Sequence, residues 1–155
     1  MDRWDDFYLG LASYTSSQSK DPSTQVGAVL VGKDKEVLSL GYNGFPRGIK
    51  DSYDRLINKE LKYELVVHAE INAVLNAARN GINTNGATLY TIAKDITTGK
   101  SWSGVCIRCA VELINAGIKK VVVVKSSDMP ESWKESCLKS AKILQEAGIE
   151  YQELQ

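Results

Sequence analysis

The chain has 155 residues, 43% of them hydrophobic and 25% charged, a composition that excludes disordered and fibrous classes and suits one globular domain with a real core. Nineteen basic and nineteen acidic residues cancel, which argues against a nucleic-acid-coating protein while leaving room for a local pocket that takes one phosphate. No apolar run is long enough for a membrane span, and the first ten residues are acidic where a secretory signal would be basic, so no membrane association and a cytoplasmic location are expected.

Trp4, Phe7, Tyr8, Leu11 and Tyr14 recur at three- and four-residue spacing and predict an amphipathic helix over 3–16. A polar loop leads to two apolar runs, Val26–Val31 and Val37–Leu40, separated by Gly32-Lys33-Asp34-Lys35, the pattern of an antiparallel hairpin. "GYNGFPRG" (41–48) carries three glycines and a proline in eight residues and reads as an ordered loop. Residues 51–64 are polar and weakly helical, without a clear assignment. From Val67, positions 67, 71, 74, 75 and 78 fit one helical face, closed by Asn80-Gly81. A strand over Ala87–Ala93 follows, then a turn-containing excursion over 94–104. Ile107, Ala110, Val111 and Ile114 mark a helix stopped by Gly117, and "KKVVVVK" (119–125) reads as a buried strand. After Pro130 a last helix carries Trp133, Cys137, Ala141 and Leu144 on one side, and "IEYQEL" closes the chain as a strand. This order predicts a single α/β domain over 1–155, three-layered α/β/α, with a five-stranded mixed sheet. Its first two strands form the hairpin, and the others, mostly parallel, are linked by crossover helices.

The chemistry-bearing residues sit at two predicted helix starts. Three cysteines is an odd number for a disulfide framework, and Cys106-x-x-Cys109 puts two sulfurs on one helical face. A helix N-terminus favours the thiolates that zinc requires. His68, the one histidine of the chain, lies near the start of the other helix; if the two starts converge, imidazole and two thiolates give three ligands and leave one tetrahedral position open. Glu70 is two residues from His68 and does not face with it on a helix, so it is read as a proton carrier bordering the site rather than a fourth ligand. Blander readings stand beside this one. His68 alone could be a satisfied core histidine, the CxxC a thioredoxin-like redox pair, and Cys137 a fourth ligand closing a structural site. Against the last, Cys137 sits on an apolar stripe, where a free cysteine behaves as a small hydrophobe. Trp102 reads equally as a stacking or interface residue and as a loop anchor.

His68-Ala69-Glu70 with Cys106-x-x-Cys109 resembles the H-x-E…P-C-x-x-C signature of zinc-dependent nucleobase deaminases. Over nearly its whole length the chain is similar to deoxycytidylate (dCMP) deaminases of the phage-like kind, through "SKDPSTQVGAVLV", "GYNGFPRG", "HAEINAVLNAARNG", "GATLY" and "NAGIKKVVVV" in the same order. The resemblance implies Zn2+ on His68, Cys106 and Cys109, Glu70 as proton shuttle, and hydrolysis of dCMP to dUMP and ammonia, supplying thymidylate synthesis. It implies Thr24, Val26, Gly27, Ala28, Asn43 and Ala69 as substrate-binding residues. It assigns Gly41, Tyr42, Asn43, Gly44 and Arg47 to an allosteric site where dCTP activates and dTTP inhibits, with Mg2+ on the triphosphate, and it implies a homo-oligomer, often a hexamer. Two departures stand out: Val105 replaces the usual proline before the first cysteine, and the 94–104 excursion is longer than the usual link. No ligands for a second, structural zinc near the N-terminus are evident. Other readings remain: a tRNA adenosine or free-base cytosine deaminase, or a catalytically silent nucleotide-binding regulator. The balanced net charge weighs against the tRNA enzyme.

Overall fold

The computed structural model describes residues 2–155. Helix α1 (Arg3–Ser16) begins where the Asp2 carboxylate accepts hydrogen bonds from the backbone N–H groups of Trp4 and Asp5, an N-cap that satisfies two orphan donors. Its buried stripe runs through Asp5, Tyr8, Leu9, Ala12, Thr15 and Ser16. Of the aromatics that predicted the stripe, Tyr8 is in the core, while Phe7 and Tyr14 are 53% and 73% exposed. The face is set by how closely the sheet approaches. A Cβ on Gly27 would lie 1.9 Å from the Ala12 carbonyl oxygen, so only a bare backbone fits beneath the small side of this helix.

Strands β1 (Thr24–Val31) and β2 (Val37–Tyr42) form the expected antiparallel hairpin. The unassigned polar segment folds as two short helices, α2 (Tyr53–Ile57) and α3 (Lys59–Leu65). Helix α4 (Ala69–Arg79) starts two residues later than the apolar pattern, because Val67 is spent on a bridge to Gly44. Its buried stripe is Ala69, Ala73 and Ala77, and Leu75 of the predicted face is 50% exposed. Small residues win here because β2 comes in against the helix backbone: a Cβ on Gly41 would lie 2.2 Å from the Ala69 oxygen and 2.3 Å from the Ala73 nitrogen.

After α4 come β3 (Thr88–Asp95), β4 (Ser101–Trp102), α5 (Ile107–Asn115), β5 (Lys120–Val124), α6 (Glu131–Glu146) and β6 (Glu150–Leu154). The predicted excursion is thus a hairpin. β4 pairs with the end of β3, Trp102 opposite Ala93, around a turn in which Asp95 accepts from the N–H groups of Thr97 and Thr98. The main sheet runs β2-β1-β3-β5-β6, with β4 attached to β3. It is mixed, with less parallel pairing than the helix-strand alternation suggests. β1 lies between β2 and β3, antiparallel to both, so only β3, β5 and β6 pair in parallel.

Alternation along the strands gives the sheet two faces. Val29, Val31, Tyr90 and Val122 pack with Tyr8, Leu9 and Ala12 of α1. Ala28, Leu30, Leu89, Val121 and Val123 pack with α4, α5 and α6. This is the expected three-layer arrangement. Among the described residues no helix is long and apolar enough to cross a membrane.

Candidate active site

His68 and Cys106 are the N-cap residues of α4 and α5, both extended, with φ/ψ of −69°/154° and −73°/158°. Each side chain therefore leaves its helix at the end where free N–H groups point outward. The two starts lie side by side. The Cys106 and Cys109 sulfurs are 3.4 and 3.3 Å from His68 Nδ1, and the Cys109 N–H donates to Cys106 Sγ over 3.4 Å. The donor atoms of these three residues all fall within 4.8 Å of one another, and no other cluster of three or more His, Cys, Asp or Glu suited to a metal occurs among the described residues. Glu70, 4% exposed, brings Oε2 to 3.8 Å from Cys109 Sγ.

The charges of this group do not balance on their own. A hydrogen bond with the Cys109 thiol, against burial and helped by His68, pulls the Cys106 thiol down to about 4. The same contact and burial push Cys109 up, and the contact with Cys106 raises His68 above its ordinary value. A cation bound between these three donors would satisfy them together. Two thiolates and one imidazole are a borderline-soft set that suits zinc, so the residues fit the metal. Burial also pushes the Glu70 carboxyl above its ordinary range, with the nearby imidazole acting the other way. Cys137 stands apart from the donor set, packed against Gly104, where an added Cβ would come within 2.8 Å of its sulfur. Burial pushes its thiol up to about 11.

His68 and Glu70 line a cavity of about 200 Å³, with the Cys106 and Cys109 sulfurs behind them. Of the residues expected to bind substrate, Thr24, Val26, Asn43 and Ala69 line it. Gly27 and Ala28 do not: Gly27 turns its open side to α1, and Ala28 is fully buried beneath α4. Asn43 lines the cavity with its side chain already engaged, Oδ1 accepting from the Val26 N–H at 2.8 Å and Nδ2 donating to the Thr24 oxygen at 2.9 Å. It ties the loop to the first turn of β1. Trp102, 5% exposed, and Trp133, whose ring centre is 6.2 Å from that of His68, supply apolar walls. Asp21, Ser23 and Lys62 complete the rim, and sequence reasoning gave them no role. Asp21 and Ser23 lie in a polar loop that carries part of the family resemblance but no assigned role, and Lys62 in the unassigned segment.

A second cavity, about 220 Å³, opens on the other side of Asn43. Tyr42, Asn43, Gly44 and Arg47 line it, and it shares Asp21 and Asn43 with the first. Gly41 is not part of it, since its open side faces α4. Arg47 donates to Asn76 Oδ1 at 2.7 Å.

Residues 2–125 match the family described as the cytidine and deoxycytidylate deaminase zinc-binding region. The chain is 33% identical to a probable deoxycytidylate deaminase of Drosophila melanogaster, covering 96% of this chain and 70% of that one. An uncharacterised deaminase of Aliivibrio fischeri is 34% identical over 96% of this chain and 91% of its own. Among solved structures, the dCMP deaminase of cyanophage S-TIM5 in complex with dCMP and dUMP superposes with a TM-score of 0.73 at 23% identity, covering 99% of both chains. At that identity the likeness concerns the fold.

Proposed function

The chain belongs to the cytidine and deoxycytidylate deaminase family, and from that premise we propose that it hydrolyses dCMP to dUMP and ammonia, supplying dUMP for thymidylate synthesis. The observation that carries this reading is the convergence of His68, Cys106 and Cys109 on one point, with the buried Glu70 carboxyl beside it on the floor of a single cavity. The curated relatives named as deoxycytidylate deaminases support the choice of substrate.

His68, through Nδ1, and the sulfurs of Cys106 and Cys109 are the residues that would hold zinc. Bound there, the metal supplies a Lewis acid that makes water nucleophilic at neutral pH. The protein's own part is proton traffic and positioning. Glu70 takes one proton from the attacking water and delivers it to the ring nitrogen, then takes the second from the hydroxyl added at C4 and delivers it to the departing amino group. Water adds at C4 and ammonia leaves, so the balance closes as dCMP plus water giving dUMP plus ammonia. Val26, Trp102 and Trp133 give the pyrimidine apolar walls that exclude bulk water.

Regulation by dCTP and dTTP, with Mg2+ on the triphosphate, belongs to the same proposal. A second cavity next to the first, lined by Tyr42, Asn43, Gly44 and Arg47, supports it. The proposal also takes the functional unit to be a cytoplasmic homo-oligomer. The test is ammonia release from dCMP, deoxycytidine, cytosine and a tRNA anticodon stem-loop, with zinc content measured beside it and with dCTP and dTTP added in turn. dCMP is expected to be the best substrate. Preference for any of the others refutes the assignment, and a zinc-loaded protein inert toward all four is a silent regulator.

A further inference from the structure

The floor of the cavity accounts for pyrimidine chemistry and leaves the anionic end of a nucleotide without a partner. Among the residues lining the cavity, Lys62 of α3 is the one lysine or arginine. Its side chain is 17% exposed, and its Nζ lies 2.7 Å from Asp21 Oδ2 and 3.2 Å from Ser23 Oγ. A lysine ammonium has three N–H donors. Two are engaged by these contacts, which leaves one for an occupant of the cavity.

Asp21 is itself anchored from the other side. Its Oδ1 accepts from the Ser23 N–H at 2.9 Å, the Ser23 hydroxyl at 2.9 Å and the Thr24 N–H at 3.1 Å. Burial alone would raise this carboxyl, yet Lys62 and these donors hold it below the usual carboxylate range, so it stays ionised. The result is an ammonium fixed in position by a carboxylate whose charge is spread over backbone donors. A buried ion pair adds little to a fold, because desolvation offsets most of its attraction. Set on a cavity wall with one donor unspent, the same pair is suited to receive an anion.

We propose that Lys62 reads the 5′-phosphate of the substrate, with Asp21 and Ser23 as the positioning residues that aim its ammonium. The assignment rests on the reading of the substrate as a nucleoside monophosphate. It makes Lys62 the residue that separates nucleotide from nucleoside, a discrimination the metal and Glu70 cannot make, since both act at the far end of the molecule. A charge-assisted contact of this kind is worth roughly 10- to 150-fold in transition-state binding.

The test is the ratio of kcat/KM for dCMP to that for deoxycytidine, in the wild type, Lys62→Gln and Lys62→Arg. Glutamine can still donate to Asp21 but has no charge, so the ratio is expected to fall roughly 10- to 150-fold. Lys62→Arg keeps the charge and should retain most of the preference. A Lys62→Gln ratio within threefold of the wild type overturns the proposal, even if both activities fall together, because that is what a purely structural pair would give. If the wild type does not prefer dCMP to deoxycytidine, the reading of the substrate fails instead. Should Lys62→Gln not fold, lysine-labelled wild-type protein decides, with the Lys62 signal assigned from Lys62→Arg. Its NMR signal must shift on adding dUMP and not on adding deoxyuridine, and equal responses to the two refute the role.

Discussion

Replacing Glu70 by glutamine separates what the carboxyl does for the reaction from what it does to the fold. The side chain is 4% exposed, and its one side-chain hydrogen-bond contact is the Cys109 sulfur at 3.8 Å, a weak partner. A buried polar group so poorly satisfied costs about 1–3 kcal/mol of stability. The dependence on pH follows from the direction of its shift. Burial raises the folded-state pKa above that of the unfolded chain, so between the two values the native state holds the extra proton. Any stabilising contribution of the carboxyl is therefore complete below the unfolded value, about 4.3 for glutamate, and is lost as pH rises through the folded value. Glutamine has the same shape and no such loss. Metal-free Glu70→Gln should thus unfold at a higher temperature than metal-free wild type at pH 7.5, by about 2–4 °C for each kcal/mol recovered, and the gap should close toward pH 4. Zinc content of the loaded variant should match the wild type, because Glu70 is outside the donor set, whereas turnover should fall at least about 10²–10⁴-fold. Paired thermal melts at the two pH values, metal analysis and ammonia release measure all of this. Wild-type turnover in the variant, or a variant less stable than wild type at pH 7.5, would refute the reasoning.

Two glycines should fail in different ways. Gly27→Ala drives a Cβ into the Ala12 carbonyl of α1, away from the cavity, and should cost at least about 1–3 kcal/mol in denaturant unfolding with zinc content unchanged. Gly41→Ala drives one into the first turn of α4, which carries His68 and Glu70, so zinc affinity measured by chelator competition should fall as well; unchanged affinity would sink this account of Gly41. Cys137→Ser should keep full zinc, and a half-loaded variant would mean that the sulfur is a ligand after all. With its thiol pushed up to about 11, only roughly one Cys137 in a thousand is thiolate at pH 8, so iodoacetamide should label it far more slowly than a free thiol, as peptide mass spectrometry can measure.

What the sequence disclosed and what it hid follow from the range of each signal. The His68, Glu70, Cys106 and Cys109 pattern is local, two short motifs each at a helix start, and the structure sets them together as the family resemblance implied. The helix faces were less legible. Phe7, Tyr14 and Leu75 satisfied the apolar period, yet alanines and Tyr8 took the core, because Gly27 and Gly41 bring strand backbones too close for large side chains there. The short strand at Ser101–Trp102 was hidden because two residues carry no period, and its existence depends on pairing with Ala93 and Lys94. Lys62 was the least visible. It becomes notable only once α3 folds over the cavity and Asp21, 41 positions earlier, meets it.

The topology explains why two distant motifs find each other. β1 begins at the edge of the sheet where β2 and β3 end, with Gly27 opposite Tyr42 and Val26 opposite Ala93. Both strands that run toward that edge must hand the chain back through a helix, β2 by way of α4 and β3 by way of α5. Two helix N-termini therefore open at one place, and their free N–H groups favour anionic sulfur there. The antiparallel β1 makes this possible. Inserted between two strands that run the same way, it sets their exits one strand apart, and the first residues of β1, Thr24 and Val26, line the gap. The same insertion places the loop of Asp21 and Ser23 at the mouth of that gap, within reach of Lys62. The proposed metal ligands and the proposed phosphate reader thus share a single cause, the position of one strand in the sheet.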